Sequence, residues 1–281
     1  MAALNTLEAL KTLLLWEGAL SRSRVMEVLG VKETRASIAI GEFCQRHEGW
    51  AERNTITRTT DATPRAWREA MKGLNAHERA ASFAEYLALT SMPHASNVER
   101  EDGIIWSAFP ELSVPDAADF AATHRAIGRG YALDITYRSL NNPEPHARTI
   151  RPHSIVRAGR RWHVRAYCEQ AKGFRDFTFG RMSDIRPSAT TLAACVTDDE
   201  AWNTRAKVRV VAHPGLSEAQ QLMIRDEYFA GRASLVTNCR ACLVPYYVRE
   251  LDAAIDTAKQ PAPEYLLAIE NAKEIAKWLL P

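Results

Sequence analysis

The stretch that most constrains this chain is RRWHVRAYC, residues 160–168. A period of two puts Trp162, Val164, Ala166 and Cys168 on one side of a strand and Arg161, His163, Arg165 and Tyr167 on the other. The first side is an ordinary core face. The second is richer in cationic donors than a merely wetted face requires. Three more strand-like runs surround it: YALDITYRS, ARTIRPHSIVRA and FRDFTFGRM, divided by NNPEP, AGR and QAKG turns. Short strands at this spacing predict a small antiparallel barrel or meander.

The same alternation marks candidate faces on the neighbouring runs. Ile135, Tyr137 and Ser139 share one, Arg151 and His153 another, and Arg175, Phe177, Phe179 and Arg181 a third. If the faces converge, arginine forks meet histidine, hydroxyls and aromatic rings. Guanidinium clamps phosphate bidentately and aromatic rings stack on bases, so an anionic or nucleic-acid ligand is expected. Residues 134–188 carry eleven Lys/Arg against five Asp/Glu, an excess hidden by the whole-chain net charge of +2. The candidate ligand residues are Tyr137, Ser139, Arg151, His153, His163, Arg165, Tyr167, Arg175, Phe177 and Arg181. Plainer roles stand beside this one. His153 can bond the local backbone, Arg165 and Arg181 can pair with Asp176 and Asp184, and Tyr137 and Ser139 can fill the barrel. Trp162 is core in either case.

Residues 1–92 read as helices with a short β element. Leu7, Leu10, Leu14 and Leu15 carry a first helix, and SRSRVMEVLGV supplies a serine cap, a short apolar face and Gly30 as a turn. In the next helix Ala36, Ile40 and Phe43 form a buried stripe, and the opposite face shows Lys32, Thr34, Arg35, Ser37 and Ile38. Two helices around a glycine turn, the second opening with small polar and basic residues, form a helix-turn-helix pattern. WAERNTITRTT then alternates like a hairpin wing. The candidate DNA contacts are Lys32, Thr34, Arg35, Ser37, Arg53 and Arg58, since groove reading needs only local positive charge.

A polar connector, PHASNVEREDG, follows, and Ser113 with Pro115 opens a helix through Ala126. Beyond residue 200 a strand, AKVRVVAHP, leads to a helix, SEAQQLMIRDEYF, and a strand, GRASLVTNC; RELDAAIDTA and NAKEIAKWLL read as closing helices suited to a dimer contact. The five cysteines are odd in number and scattered, which fits a reducing cytoplasm. CRAC at 239–242 is a lone CxxC without a second ligand pair, so core thiols on one side of a helix are expected, with a redox switch as the rival. No nucleophile elbow, glycine-rich phosphate loop or paired carboxylate set is present, and no metal or cofactor is expected. No apolar run approaches a membrane span, and the leucine-rich start, broken by Glu8, Lys11 and Glu17, reads as a helix.

The run ITYRS…RTIRPHSIV…RRWHVRAYC…FRDFTFGRM resembles the WYL domain, with Trp162-His163-Val164 at the name-giving positions. The segment order is similar to that of repressors accompanying BREX and CBASS phage-defence systems (the BrxR/CapW group). The resemblance implies an Sm-like barrel in the middle, a dimerising C-terminal domain, and repression of a defence operon relieved by a nucleotide or single-stranded nucleic acid. The expected fold class is therefore α+β: a winged helix-turn-helix (1–92), a helical linker (93–130), a small antiparallel Sm-like barrel (131–200) and an α+β dimerisation domain (201–281). The expected protein is a cytoplasmic, non-enzymatic homodimeric repressor. Its partners are double-stranded operator DNA with an inverted repeat and a small anionic or oligonucleotide effector. The competing reading is a nucleic-acid-processing enzyme or accessory factor that uses the Arg/His groove directly.

Overall fold

The computed structural model describes residues 5–92 and 113–279. The connector expected over 93–103 lies outside the described residues. The chain divides into two compact units, one of residues 1–156 and 160–193, the other of 157–159 and 194–281.

The first unit opens with α1 (Thr6–Glu17), capped by the Asn5 side chain and closed by Gly18 in the left-handed region. Its Leu10, Leu13 and Leu14 are wholly buried. After β1 (Ala19–Leu20), Ser21 caps α2 (Arg22–Leu29), which ends at Gly30 with φ 64°. A positive φ there favours glycine and lets the chain turn directly into α3 (Glu33–Arg46). The hairpin β2 (Ala51–Asn54) and β3 (Thr59–Ala62) follows, and β1 joins it in the order β1-β3-β2. Then come α4 (Pro64–Ala70), α5 (Ala76–Leu89) with an Asn75/Glu78 capping box, and α6 (Ala117–Arg129). Asp116, not Ser113, caps α6, because its carboxylate accepts from the Ala118 and Asp119 amides.

Five strands follow, all within this unit except the last two residues of β5: β4 (Leu133–Tyr137), β5 (His146–Ala158), β6 (Arg161–Cys168), β7 (Gly173–Thr178) and β8 (Met182–Pro187). Their order is β7-β6-β5-β4-β8. The expected closed barrel is corrected to an open sheet. Closure needs β7 and β8 to pair, and among the described residues they are opposite edges joined by a one-turn 3-10 helix, Phe179–Arg181. One core serves helices and sheet alike. Phe120 of α6 meets Trp16 at 5.8 Å, Phe83 at 5.5 Å, Tyr86 at 5.8 Å, Trp162 at 6.2 Å and Phe179 at 5.7 Å, ring centre to ring centre.

The second unit holds α7 (Glu200–Asn203), β9 (Arg205–Ala212), α8 (Glu218–Phe229), β10 (Ser234–Arg240), α9 (Val244–Glu250), β11 (Ala253–Ala254), β12 (Leu267–Ile269) and α10 (Ala276–Leu279). Its sheet runs β10-β9-β12-β11. Ala206, Val208, Val210 and Ala212 of β9 face the core, as the alternation of AKVRVVAHP requires. The closing helices are shorter than expected. RELDAAIDTA leaves the helix at Glu250 because Ala253 and Ala254 pair in parallel with Leu267 and Ala268. The Gln260 side chain also takes the Ile255 and Asp256 amides. Among the described residues of NAKEIAKWLL the helix covers Ala276–Leu279, since Asn271 is tied to β9 through the Arg209 amide and the Lys207 carbonyl. Cys239 is the penultimate residue of β10 and Cys242 lies in a 3-10 turn, so the expected shared helix face for CRAC is not formed.

Candidate functional site

Two surfaces in the first unit gather most of the predicted residues. In α3, Ala36, Ala39, Ile40 and Phe43 are buried, which turns Thr34, Arg35, Ser37 and Ile38 outward, with Lys32 exposed at the N-cap. The alternation of buried and exposed positions matches the expected stripe. Arg35 lies 4.0 Å from Glu42, with both side chains about half exposed, a separation that leaves the guanidinium available. The helix pair is fixed from behind. Glu17, at the end of α1, is buried and accepts three bonds from Arg24 of α2 at 2.7, 2.9 and 3.1 Å. Those bonds outweigh burial and hold the Arg24 guanidinium more firmly protonated than usual.

The β2–β3 hairpin stands beside α3 in sequence and carries Arg53 on β2 and Arg58, at φ 57°, in its turn. Both are exposed. Asn54 braces the tip by accepting from the Ile56 and Thr57 amides, so Ile56, 93% exposed, is presented on an ordered turn. At the base, Asp61 accepts from Thr59 Oγ1 at 2.6 Å, from Asn54 Nδ2 at 3.0 Å, and from Arg129 Nη2 at 2.7 and 2.8 Å. Burial alone would raise the Asp61 carboxyl. The three donors outweigh it and hold the group below the usual range. The hairpin is therefore anchored to the last turn of α6. Sequence reading missed Ile56, Asp61 and Arg129; only the turn-rich NTIT run hinted at a tip.

The second surface is the side of the five-stranded sheet that Arg165 occupies. Trp162, Val164, Ala166 and Cys168 enter the core as expected. The opposite positions are buried too, His163 at 6% and Arg165 at 7% exposure, so β6 is covered on both sides. Cross-strand register decides which residues join them. Arg165 faces Asp176 and bonds it at 3.2 Å; His163 faces Thr178, 3.5 Å from its hydroxyl; Tyr167 faces Phe174, with ring centres 5.5 Å apart. His153 of β5 reaches the same patch, its ring 5.7 Å from Phe174 and its Nδ1 3.0 Å from Ser154 Oγ. His153, His163, Arg165 and Tyr167 are thus gathered with Phe174, Asp176 and Thr178.

The other predicted residues lie elsewhere. Phe177 pairs with Val164 and turns into the core, edge-on to Tyr137 at 5.0 Å. Arg175 pairs with Ala166, also on the side opposite Arg165, and bonds the Phe174 carbonyl. The expected convergence of Tyr137, Arg175 and Phe177 with Arg165 is corrected by that register, because residues directly opposite across a ladder share a face. Ser139 accepts from the Asn142 amide in a turn. Arg151 donates to the carbonyls of Leu192 and Ala193 at 2.6 and 2.7 Å, and Arg181 sits in the 3-10 turn. At the other end of the sheet an open cleft of about 390 Å³ is lined by Asp134, Arg148, Asp184 and Arg186 among others, a balanced charge set.

Among the described residues no group of three or more His, Cys, Asp or Glu side chains is placed to hold a metal ion, and no helix is long and apolar enough to cross a membrane.

Two family models match the chain: the WYL domain over residues 118–187 and the C-terminal dimerization domain of the BrxR transcriptional regulator over residues 205–275. The DNA-binding transcriptional repressor CapW of Pseudomonas aeruginosa is 30% identical over 274 residues, covering 96% of this chain and 89% of the relative. The CapW repressors of Stenotrophomonas maltophilia and Escherichia coli are 28% and 29% identical, across 94% and 96% of this chain and 88% and 89% of their own lengths.

Proposed function

Because the chain belongs to the CapW family of DNA-binding transcriptional repressors, we propose that it works as a cytoplasmic homodimer whose first 92 residues form a winged helix-turn-helix reading an inverted repeat in double-stranded DNA. It is a regulator, not an enzyme. The observation that carries the reading is the outward face of α3. Lys32, Thr34, Arg35 and Ser37 are all exposed on the helix that follows the Gly30 turn, opposite a fully apolar buried stripe. A helix so arranged can lay its first turns in a major groove, and Arg53 and Arg58 of the hairpin supply flanking phosphate contacts.

The middle segment, 131–200, is the sensing module in this reading, preceded by the helical segment 93–130. Its ligand is a small anionic or oligonucleotide effector that releases DNA from a phage-defence operon. The support is the gathering of His153, His163, Arg165 and Tyr167 around Phe174. Arg165 is paired with Asp176, yet a guanidinium has five donors and can give some to phosphate oxygens while ring faces take a base. Ser139, Arg151 and Arg181 lie outside this patch, Arg175 is on the other side of the sheet from it, and Tyr137 and Phe177 shape the core beneath.

The test is a gel shift and footprint on the DNA upstream of the protein's own gene. Two protected half-sites one helical turn, or a multiple of it, apart, occupied by two chains, are expected. Protection of a single half-site by one chain, or no preference over unrelated DNA, refutes the reading.

A further inference from the structure

Two positions of α3 depart from what a merely wetted helix face holds. At about 100° per residue, the buried Ala36, Ala39, Ile40 and Phe43 share one side of the helix. The line directly opposite is Thr34, Ile38, Gly41 and Gln45, all four exposed, with Arg35 and Ser37 on either flank. Ile38 is 48% exposed, although a β-branched aliphatic gains nothing from water and forms helix less well than Lys, Glu or Gln. Gly41 is the stranger choice, because glycine inside a helix weakens it relative to alanine.

A glycine is needed where the backbone takes a positive φ or where a neighbour leaves no room for Cβ. Neither holds for Gly41. It is not among the positive-φ glycines, and among the described residues a Cβ there would meet nothing within 4 Å beyond its own helix backbone and chain neighbours. The fold of the chain thus gives no reason for Ile38 or Gly41. Residues that break a local rule without any gain inside the fold mark a surface shaped for something outside it.

We propose that Ile38 covers the 5-methyl group of a thymine in each half-site, and that the bare Gly41 lets the groove edge come against the α3 backbone one turn further on. The inference rests on the DNA-reading role of α3 and names what the helix reads. A helix about 10–12 Å across with its side chains nearly fills a major groove about 12 Å wide, so its outward line runs along the groove floor. The thymine methyl is the apolar group that the major-groove edges of the bases present. Under Ile38 any other base edge would leave a donor or acceptor unpaired. At Gly41 the missing Cβ brings the helix axis nearer to the DNA. The surrounding charge suits a polyanion: Lys32 and Arg35 are exposed, and the two acidic side chains of α3 each stand beside an arginine, Glu33 2.7 Å from Arg22 and Glu42 4.0 Å from Arg35.

The test is fluorescence anisotropy of the full chain on the duplex footprinted upstream of its own gene, with each thymine of the protected half-sites replaced in turn by deoxyuridine, which removes the methyl alone. Burying one methyl is worth about fourfold in affinity, so one thymine per half-site is expected to stand out by about that factor. Changing it in both half-sites is expected to cost about fifteenfold, the two losses multiplying. Ile38→Ala is expected to melt with wild type, to bind the thymine duplex as weakly as wild type binds the doubly changed one, and to lose nothing further on deoxyuridine. Gly41→Ala is expected to melt no earlier than wild type, because alanine favours the helix, yet to bind about tenfold more weakly. A merely structural role for Gly41 predicts the opposite, a better helix and unchanged binding. Wild type indifferent to every thymine methyl, an Ile38→Ala that keeps the thymine preference, or a Gly41→Ala that binds like wild type overturns the proposal. The DNA-reading role of α3 then still stands if Arg35→Ala binds more weakly, whereas a duplex with no protected half-site overturns both. If either variant melts early, the deoxyuridine scan on wild type decides.

Discussion

Arg129→Ala would cut the anchor between α6 and the β2–β3 hairpin. The pair is partly covered, with Arg129 29% and Asp61 19% exposed, so it sits between a surface ion pair and a buried one. A hydrogen bond to a charged group is worth about 1.5–3 kcal/mol, and solvent access reduces that toward the surface value. With Asn54 and Thr59 still bonding the carboxylate, a loss of about 1–2 kcal/mol is expected, or about 2–8 °C in melting temperature for a cooperative unit of this size. Because Asp61 is held below the usual carboxylate range, its contribution is complete above the unfolded value near 4 and is lost as pH falls through the lower folded value. The variant should therefore lose stability less steeply below about pH 4 than wild type does. Operator affinity should fall several-fold as well, since Arg53 and Arg58 lose their fixed base, and Arg129→Lys should recover most of it. Calorimetry across pH with fluorescence anisotropy on operator DNA makes the measurement. A variant that melts with wild type, keeps the same acid limb and binds normally refutes the anchor.

Three other outcomes are expected. Burial first, then Asp116 and Asp184, raises the Asp119 carboxyl to about 6, so stability is lost as pH rises above the unfolded value near 4 and the full penalty is present above the folded value; Asp119→Asn should raise the melting temperature most at pH 7.5, less at pH 5 and little below about pH 4, and the opposite pattern in a pH series of melts would contradict it. Phe120→Ala removes the ring shared by Trp16, Phe83, Tyr86, Trp162 and Phe179 and should cost about 3–5 kcal/mol in urea unfolding; a loss under 1 kcal/mol would mean those rings do not form one core. His153→Ala should leave operator affinity nearly unchanged yet abolish reporter induction. Arg165→Ala alone should melt early by removing the partly buried ion pair with Asp176, whereas Arg165→Met with Asp176→Leu should restore melting but not induction; restored induction would make the face scaffolding.

The parts of this account that were legible in sequence are those governed by short-range periodicity. Ala36, Ile40 and Phe43 announce which side of α3 is buried, and the alternation through Trp162–Cys168 separates the faces of β6. The errors arise where pairing between distant residues decides. FRDFTFGRM carries phenylalanines at both parities, so alternation alone cannot choose between Phe174 and Phe177; the pairing of Arg165 with Asp176 does. The same limit hides Asp61 and Arg129, far apart in sequence and joined only in the folded unit. In the last segment Leu267–Ile269 pairs with β9 and Ala253–Ala254 pairs with Leu267–Ala268 in turn, so runs of helical or ambiguous composition become strands, which local propensity cannot foresee.

The central claim is that α3 reads the operator, and loss-of-contact analysis of Arg35 tests it most directly. Arg35→Ala and wild type are titrated on the operator and on a set with each half-site base pair substituted in turn. If Arg35 reads a base, the variant binds the native site about 1–3 kcal/mol more weakly and loses its discrimination at a single position in each half-site, with all other positions read as before. Equal affinity and an unchanged base preference in the variant would contradict the claim and move the DNA-reading surface off α3.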